Sequence, residues 1–349
     1  MRNDTRVAFN RLTAHIAQLS GVNSATESFA VEPSVQQTLE TRIQESSEFL
    51  SLINVIGVDE LKGEKLGLGV TGPIAGRTDV SAKDRSPRDV TALSANTYEC
   101  VSTEFDTAIP WGKLDAWSRF QDFQTRVRNV ILRQQALDRI MIGFNGTTAA
   151  IETDRAANPL LQDVNKGWLQ QYRDHAPQRV MTGAATAGQI VIDPTEKTNA
   201  EGKVIGIVGD YANLDALVMD AVNEMIDPWF RESTDLVVIM GRKLLADKYF
   251  PLVNKNQPPS EQRALDLIIS QERVGGLQAV RAPFVPDGTI FITALSNLSL
   301  YWQNGSRRRY LRDKPERKRV ENYESSNDAY VVEDYGFGCV IENIDTTNA

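Results

Sequence analysis

KLDAWSRFQDFQTRVRNVILRQQALDRIMIGF, residues 113–144, carries a single apolar stripe. Leu114, Trp117, Phe120, Phe123, Val127, Val130, Ile131, Leu137, Ile140 and Met141 recur at spacings of mostly three and four, the period of a helix. Charged residues fill the positions between them, no proline intervenes, and the run from Gly143 to Gly146 reads as the stop. At about 1.5 Å per residue, some thirty residues make a rod roughly 45 Å long, against about 11–12 residues for an average helix. Such an element is either a strut along which other parts pack or the long core helix of an α-rich enzyme.

Outward from that strut, the bulk composition narrows the classes. The chain has 349 residues, 41% hydrophobic and 24% charged, with a net charge of −8. These are soluble globular proportions, in one large domain or two to three smaller ones. A chain this acidic does not coat nucleic acid as a whole, because phosphate contacts need a basic surface. No apolar run approaches the roughly 20 residues of a membrane span. MRNDTRVAFN has no apolar signal core, so no membrane partner is expected. Cys100 and Cys339 are the only cysteines, too far apart in sequence for a CxxC clip, and a reducing compartment is expected.

Before the strut, residues 1–28 read as an amphipathic helix with Val7, Leu12, Ile16 and Leu19 near one face, ended at Gly21 and followed by a polar linker. Val35, Leu39 and Ile43 at four-residue spacing mark a helical arm, and the run from Ile53 to Val58 a strand. Residues 62–111 read as two long strands joined by a polar excursion. A loop this long and hydrophilic is hard to bury in its own domain and reaches out to another subunit. Lys62, Lys65, Arg77, Arg85 and Arg88 are its candidate contact residues.

After the strut, Trp168, Leu169 and Tyr172 predict a short helix ended before Pro177, and residues 183–206 predict turns with short strands. Residues 210–300 form a compact α/β unit. Its helix runs from Leu214 to Ile226, capped by Asp210 or Asn213, and a buried strand covers 236–240. A second helix from Lys243 to Tyr249 ends before Pro251, and further strands fall near 268–269, 279–280 and 289–293. Strands return at 298–302, 329–332 and 338–341. The run from Arg307 to Arg319 holds eight Lys or Arg against two acids, which reads as a solvated loop or as inter-subunit ion pairs, with Arg307, Arg308 and Arg309 as candidate contacts.

The local chemistry is negative. Gly67-Leu68-Gly69-Val70-Thr71-Gly72 matches GxGxxG, but Pro73 and Gly76 follow where a phosphate-binding helix should open. His15 and His175 are the only histidines, and neither has a ligand-spaced partner. The acids form no DxD or ExxE cluster. No catalytic residue, cofactor or metal is expected, although an α/β enzyme or a nucleic-acid-binding protein stays open on composition alone.

Eight stretches then carry a resemblance that runs nearly end to end. They are VEPSVQQTL with QESSEFL, KGEKLGLGVTGPIA, RFQDFQ at 119–124, NPLLQDVNKGWLQQYR, GDYANLDALVMDA, DLVVIMGRKLLADKYFPLVNK and VENYESSNDAYVVEDYG. In order and spacing the chain closely resembles the major capsid proteins of P2-type tailed phages.

The resemblance implies an α+β fold of the HK97 type. It also implies an N-terminal scaffold-interacting propeptide at 1–29, an N-arm at 30–61 and an extended β loop at 62–108. A peripheral domain at 109–209 would hold a spine helix at 113–142, followed by an axial domain at 210–300 and a return to the periphery at 301–349. The implied function is a non-enzymatic shell protein, assembling with itself into pentamers and hexamers of an icosahedral phage head in the host bacterial cytoplasm. The implied partners are an internal scaffold-protease protein, a portal protein and packaged double-stranded DNA enclosed without specific binding. Proteolytic processing is expected between Phe29 and Ala30. No Lys–Asn weld through Lys62, Lys65 or Lys83 is expected.

Overall fold

The computed structural model describes residues 1–347 except 66–68, 71–74, 76, 83, 86–90, 93–96, 118–122, 186–187, 201 and 254–271. Its helices are α1 (Asn3–Leu19), α2 (Pro33–Glu45), α3 (Glu48–Leu52), α4 (Trp111–Trp117), α5 (Phe123–Asn145), α6 (Trp168–His175), α7 (Leu214–Met225), α8 (Pro228–Arg231) and α9 (Arg242–Val253). The predicted strut is thus α4 and α5, and the stretch between them lies outside the described residues.

Two features of the strut differ from the periodic reading. Val130 is exposed, and the buried line down α5 runs through Val127, Ile131, Gln135 and Arg139. Gly143 does not stop the helix but lies inside it, where Trp168 of α6 packs against its Cα. The helix ends at Asn145, whose side chain donates to the carbonyls of Met141 and Phe284.

Beneath the strut lies a seven-stranded sheet built on one 14-residue strand, Arg319–Val332. Its first half pairs antiparallel with Arg308–Lys314 and with Thr107–Pro110. Its second half pairs with Leu298–Gln303 and with Val101–Glu104. Asn54–Val58 joins parallel to Leu298–Gln303, and Phe29–Ala30 closes the far edge against Arg308–Lys314. Only 329–332 of the long strand was legible as β. Its inward face, Val320, Asn322, Glu324, Ser326, Asp328, Tyr330 and Val332, is apolar at the ends and polar in the middle, so no two-residue alternation shows. The basic run after Arg307 is a hairpin of this sheet, turned by a 3-10 segment at Pro315–Arg317 and by Lys318 in the left-handed region.

A six-stranded sheet takes the order Arg273–Val274, Leu277–Arg281, Leu236–Met240, Ile290–Ala294, Gly338–Ile341 and Val180–Met181. The compact unit therefore borrows strands from either side of 210–300. Asn213, not Asp210, caps α7, accepting from the Ala216 amide at 2.8 Å. Pro251 does not end α9, which continues to Val253. The expected strand at 268–269 lies outside the described residues.

The main core joins α5, α6 and α3 to both sheets. Its centre is an aromatic group in which Trp168 meets Phe144 and Tyr330 at 5.4 Å between centroids and Phe49 at 6.2 Å. The indole N–H donates to the Ser299 carbonyl at 3.0 Å, so the buried ring leaves no orphan donor. A second cluster lies under α7 in the smaller sheet, and a third gathers under α1.

Candidate functional site

The third cluster is where the N-terminal segment docks. Phe9, Ile16 and Ala17 of α1, with Ala25, Phe29 and Val31 of the following chain, are buried against Leu114, Val127, Ile131, Leu311 and Val320. Of the expected apolar face of α1, Ile16 is buried and Leu12 packs beside it, whereas Val7 and Leu19 are exposed and Phe9 and Thr5 point inward. Asp115 of α4 ties down the start of α1, accepting from the Thr5 hydroxyl at 2.5 Å and the Arg2 amide at 3.0 Å. Arg6 pairs with Asp313 at 2.6 Å. A cavity of about 180 Å³ remains between α1, the arm and α5.

The expected processing bond sits at the end of this docked segment. Phe29 pairs with Arg309 and Ala30 with Arg308 in a two-residue strand. Phe29 points inward and Ala30 faces out. The polar linker read from sequence thus ends in ordered backbone at a sheet edge, against two of the candidate contact arginines.

At the base of the excursion, Lys62–Glu64 pairs antiparallel with Thr97–Glu99, and Lys62 meets Glu99 at 2.7 Å in the open. Tyr98 stands edge-on to Tyr301 at 5.1 Å. Further out, Gly69–Val70 pairs with Thr91–Ala92, so the middle of the GxGxxG match is strand. Lys65, expected on a contact surface, is instead buried. Its ammonium donates to the Val332 carbonyl at 2.6 Å and to the Tyr335 hydroxyl at 3.3 Å, and lies 4.5 Å over the Tyr335 ring. Burial pushes its pKa down to about 8, against the opposing pull of Glu333 and Asp334. Arg77 and Arg85 are exposed, and Arg88 lies outside the described residues.

The basic run divides. Arg308 is exposed and donates to the Gly305 carbonyl at 2.7 Å. Arg309 is half-buried beside Asn322. Arg307, expected as a contact residue, is instead fully buried and does not stand on a surface. It donates to Glu324 at 2.6 and 2.9 Å, to Glu40 at 2.6 Å and to Gln135 at 2.9 Å.

Arg139 of α5 lies beside it. It holds Asp328 at 3.0 and 3.2 Å, pairs with Glu40 through both terminal nitrogens, and reaches the Ser326 hydroxyl at 3.4 Å. Burial would raise every one of these carboxyls. For Glu324 the charge of Arg307, then of Arg309, more than reverses this and holds it at about 2. Glu40 is likewise held low by both buried arginines. For Asp328 burial wins over Arg139 and its pKa is raised. No sequence signal marked Glu40, Arg139 or Asp328, because each is an ordinary surface residue type whose charged partners lie 99 to 267 residues away.

Among the described residues the remaining titratable groups do not assemble into a reactive centre. His15 is on the outside of α1, and His175 at the end of α6 lies beside the Tyr335 ring, its pKa lowered by burial and then by Lys65. Cys100 and Cys339 are buried free thiols, each pushed up to about 12 by burial. Among the described residues no group of three His, Cys, Asp or Glu could hold a metal ion, and no helix is long and apolar enough to cross a membrane.

Comparison with known proteins places this architecture. A family model described as phage major capsid protein, P2 family, matches residues 8–344. The capsid proteins of Escherichia phage P2 are 52% identical over 347 residues, which span 99% of this chain and 95% of that protein. The major capsid protein of Serratia phage KSP20 is 41% identical over 349 residues, spanning 99% and 97%. Among solved structures, a chain of the satellite phage P4 procapsid including size determination (Sid) protein superposes with a TM-score of 0.77 at 49% identity, over 99% of this chain and 98% of that one. With an α+β fold of HK97 type and no enzymatic role, this chain belongs to the P2 family of phage major capsid proteins, the builders of the virion shell.

Proposed function

We propose that this chain builds its shell around an internal scaffold protein that also carries the maturation protease, and that residues 1–29 are the handle the scaffold holds. The observation that carries the reading is the docking of α1: a short helix with its own satellite core, joined to the body through a short linker and a two-residue edge strand. Such a unit can detach without opening the main core. Cleavage between Phe29 and Ala30 would then remove the handle and make maturation irreversible.

In this reading the excursion at 62–108 overlaps a neighbouring subunit, with Lys62, Arg77, Arg85 and Arg88 among its contacts and Arg308 and Arg309 facing a further neighbour. The unit built on 210–300 gathers at the centres of pentamers and hexamers, and α4 with α5 is the stiff spine between. Each contact is modest, and stability arises from many neighbours acting together. A portal protein occupies one vertex. Packaged double-stranded DNA is enclosed without specific binding, which suits a net charge of −8.

Co-expression with the cognate scaffold, followed by negative-stain electron microscopy and intact mass, tests this. Closed shells whose subunit begins at Ala30, or within a residue or two of it, support the reading. Shells whose subunit retains Met1 after maturation overturn the processing step, and soluble monomers beside folded scaffold overturn the scaffold role.

A further inference from the structure

The ionic layer between α5 and the long strand sets three buried carboxylates around two fully buried arginines, with the half-buried Arg309 acting on Glu324 from its margin. Arg139 has Asp328 at 3.0 Å and Arg307, one residue ahead of the strand Arg308–Lys314, has Glu324 at 2.6 Å, and neither pair draws on the arm helix. Glu40 is the third carboxylate. It comes from α2, a separate arm helix, and bridges both guanidiniums. A third buried carboxylate is costly to desolvate, and replacing buried ion pairs by apolar residues is often neutral or stabilising. Glu40 is therefore poorly explained as a contribution to the stability of the body.

The way α2 docks supplies the explanation. Its fully buried positions are Gln36, Glu40 and Ile43, so two of the three inward side chains are polar. Gln36 donates to the Gln303 carbonyl at 3.0 Å and accepts from the Gly305 amide at 2.9 Å. The apolar residues on the same side, Val35, Leu39 and Ile43, repeat every four positions. A helix held by such a repeat alone could slip by one turn, about 5.4 Å, and recover most of its burial. Hydrogen bonds to two fixed guanidiniums and to one turn of backbone cannot be recovered after that slip.

We propose that Glu40 is the positioning residue that sets the register of the arm on the spine, so that α2, α5 and the long strand move as one body during shell assembly and the arm bends only outside residues 33–45. Buried polar residues that trade stability for register are well attested in helix packing.

Glu40→Gln tests this, because it leaves Arg139 with Asp328 and Arg307 with Glu324 in balance. Hydrogen exchange on the full-length soluble subunit is the first readout. The expected result is that amides of residues 33–45 exchange at least about tenfold faster than in the native chain, while those of α5 and the long strand stay within about twofold. Glu40→Asp, which keeps the charge, restores most of the protection, and Thr38→Ala on the exposed side of α2 leaves it unchanged.

Shells made by co-expression with the cognate scaffold are the second readout, and Glu40→Gln should give particles of mixed diameter. Arm exchange within twofold of the native chain overturns the proposal. So does loosening of arm and body by the same factor, or failure of the variant to fold, since either makes Glu40 an ordinary structural residue. Uniform native-sized shells from a variant whose arm exchanges fast would also overturn it. The exchange result stands whether or not the scaffold reading holds.

Discussion

The ring of Trp168 lies where a side chain at position 143 would have to go. A Cβ on Gly143 would collide with the six-membered edge of the indole, which is wedged between α5 and the strand bearing Ser299. Gly143→Ala should therefore destabilise the subunit by about 3 kcal/mol or more, since overpacking a filled core displaces rings that have nowhere to go. Urea unfolding measures it. Trp168→Leu in the same chain should return part of that loss, because the collision goes with the ring. Additive losses would show that the two positions do not meet.

Arg139 answers differently from Glu40. Arg139→Met leaves Asp328 buried without its guanidinium and Glu40 sharing Arg307 with Glu324, and the expected loss is about 3–5 kcal/mol. Chemical denaturation of the soluble subunit would register it. A loss under about 1 kcal/mol would mean that the layer is not closed to water.

Lys65 is the opposite case, a buried cation whose removal should help. Its pKa is about 8 in the folded chain, below the ordinary lysine value of 10.5. Below pH 8 the amine is charged in both folded and unfolded chains, so the fold bears the cost of burying it. Between about 8 and 10.5 the folded amine is neutral while the unfolded one keeps its proton, so stability rises with pH. Lys65→Met should stabilise the subunit at pH 7 by about 1–2 kcal/mol, less than the full shift because the Val332 carbonyl loses its donor. That advantage should shrink as pH climbs past 8. Thermal melts of both chains at pH 7, 8.5 and 10 check the sign.

Processing at Phe29–Ala30 requires the edge strand to open, because Phe29 is buried and its backbone is paired. Phe9→Ala, which removes a buried ring from the satellite core, should speed clipping at that bond several-fold without moving the global unfolding midpoint. Mass spectrometry of a time course with the maturation protease would show it. Equal rates would mean that the segment is already undocked when the protease acts.

The thiols should be silent in the native chain. Cys100 and Cys339 are buried and their thiolates disfavoured, so Ellman's reagent should react with neither until denaturant is added. Prompt reaction of one equivalent at pH 8 would mean that the sheet edge at Cys100 opens.

What the sequence determined by itself is what short-range periodicity and residue order record. The strut, the arm helix, the Trp168 helix, the buried strand at 236–240 and the family resemblance were all legible, because each depends on neighbours within one or two turns or on an ordered series of motifs. Tertiary structure alone decided which polar residues are inside. Gln135 and Arg139 occupy the middle of the apolar stripe of α5, and Glu324 and Asp328 the middle of the long strand. Gln135 meets Glu324 and Arg139 meets Asp328 across 189 residues of chain, and Glu40 reaches Arg139 and Arg307 across 99 and 267. Taken singly, every one is a surface residue type, and Arg307 among seven other basic residues reads as solvated. A charge can be buried only where its counter-charge arrives, and that arrival is a property of the assembled layers rather than of any stretch of sequence. The same reason hid Gly143: its missing side chain is explained only by an indole 25 positions away that the fold brings to it.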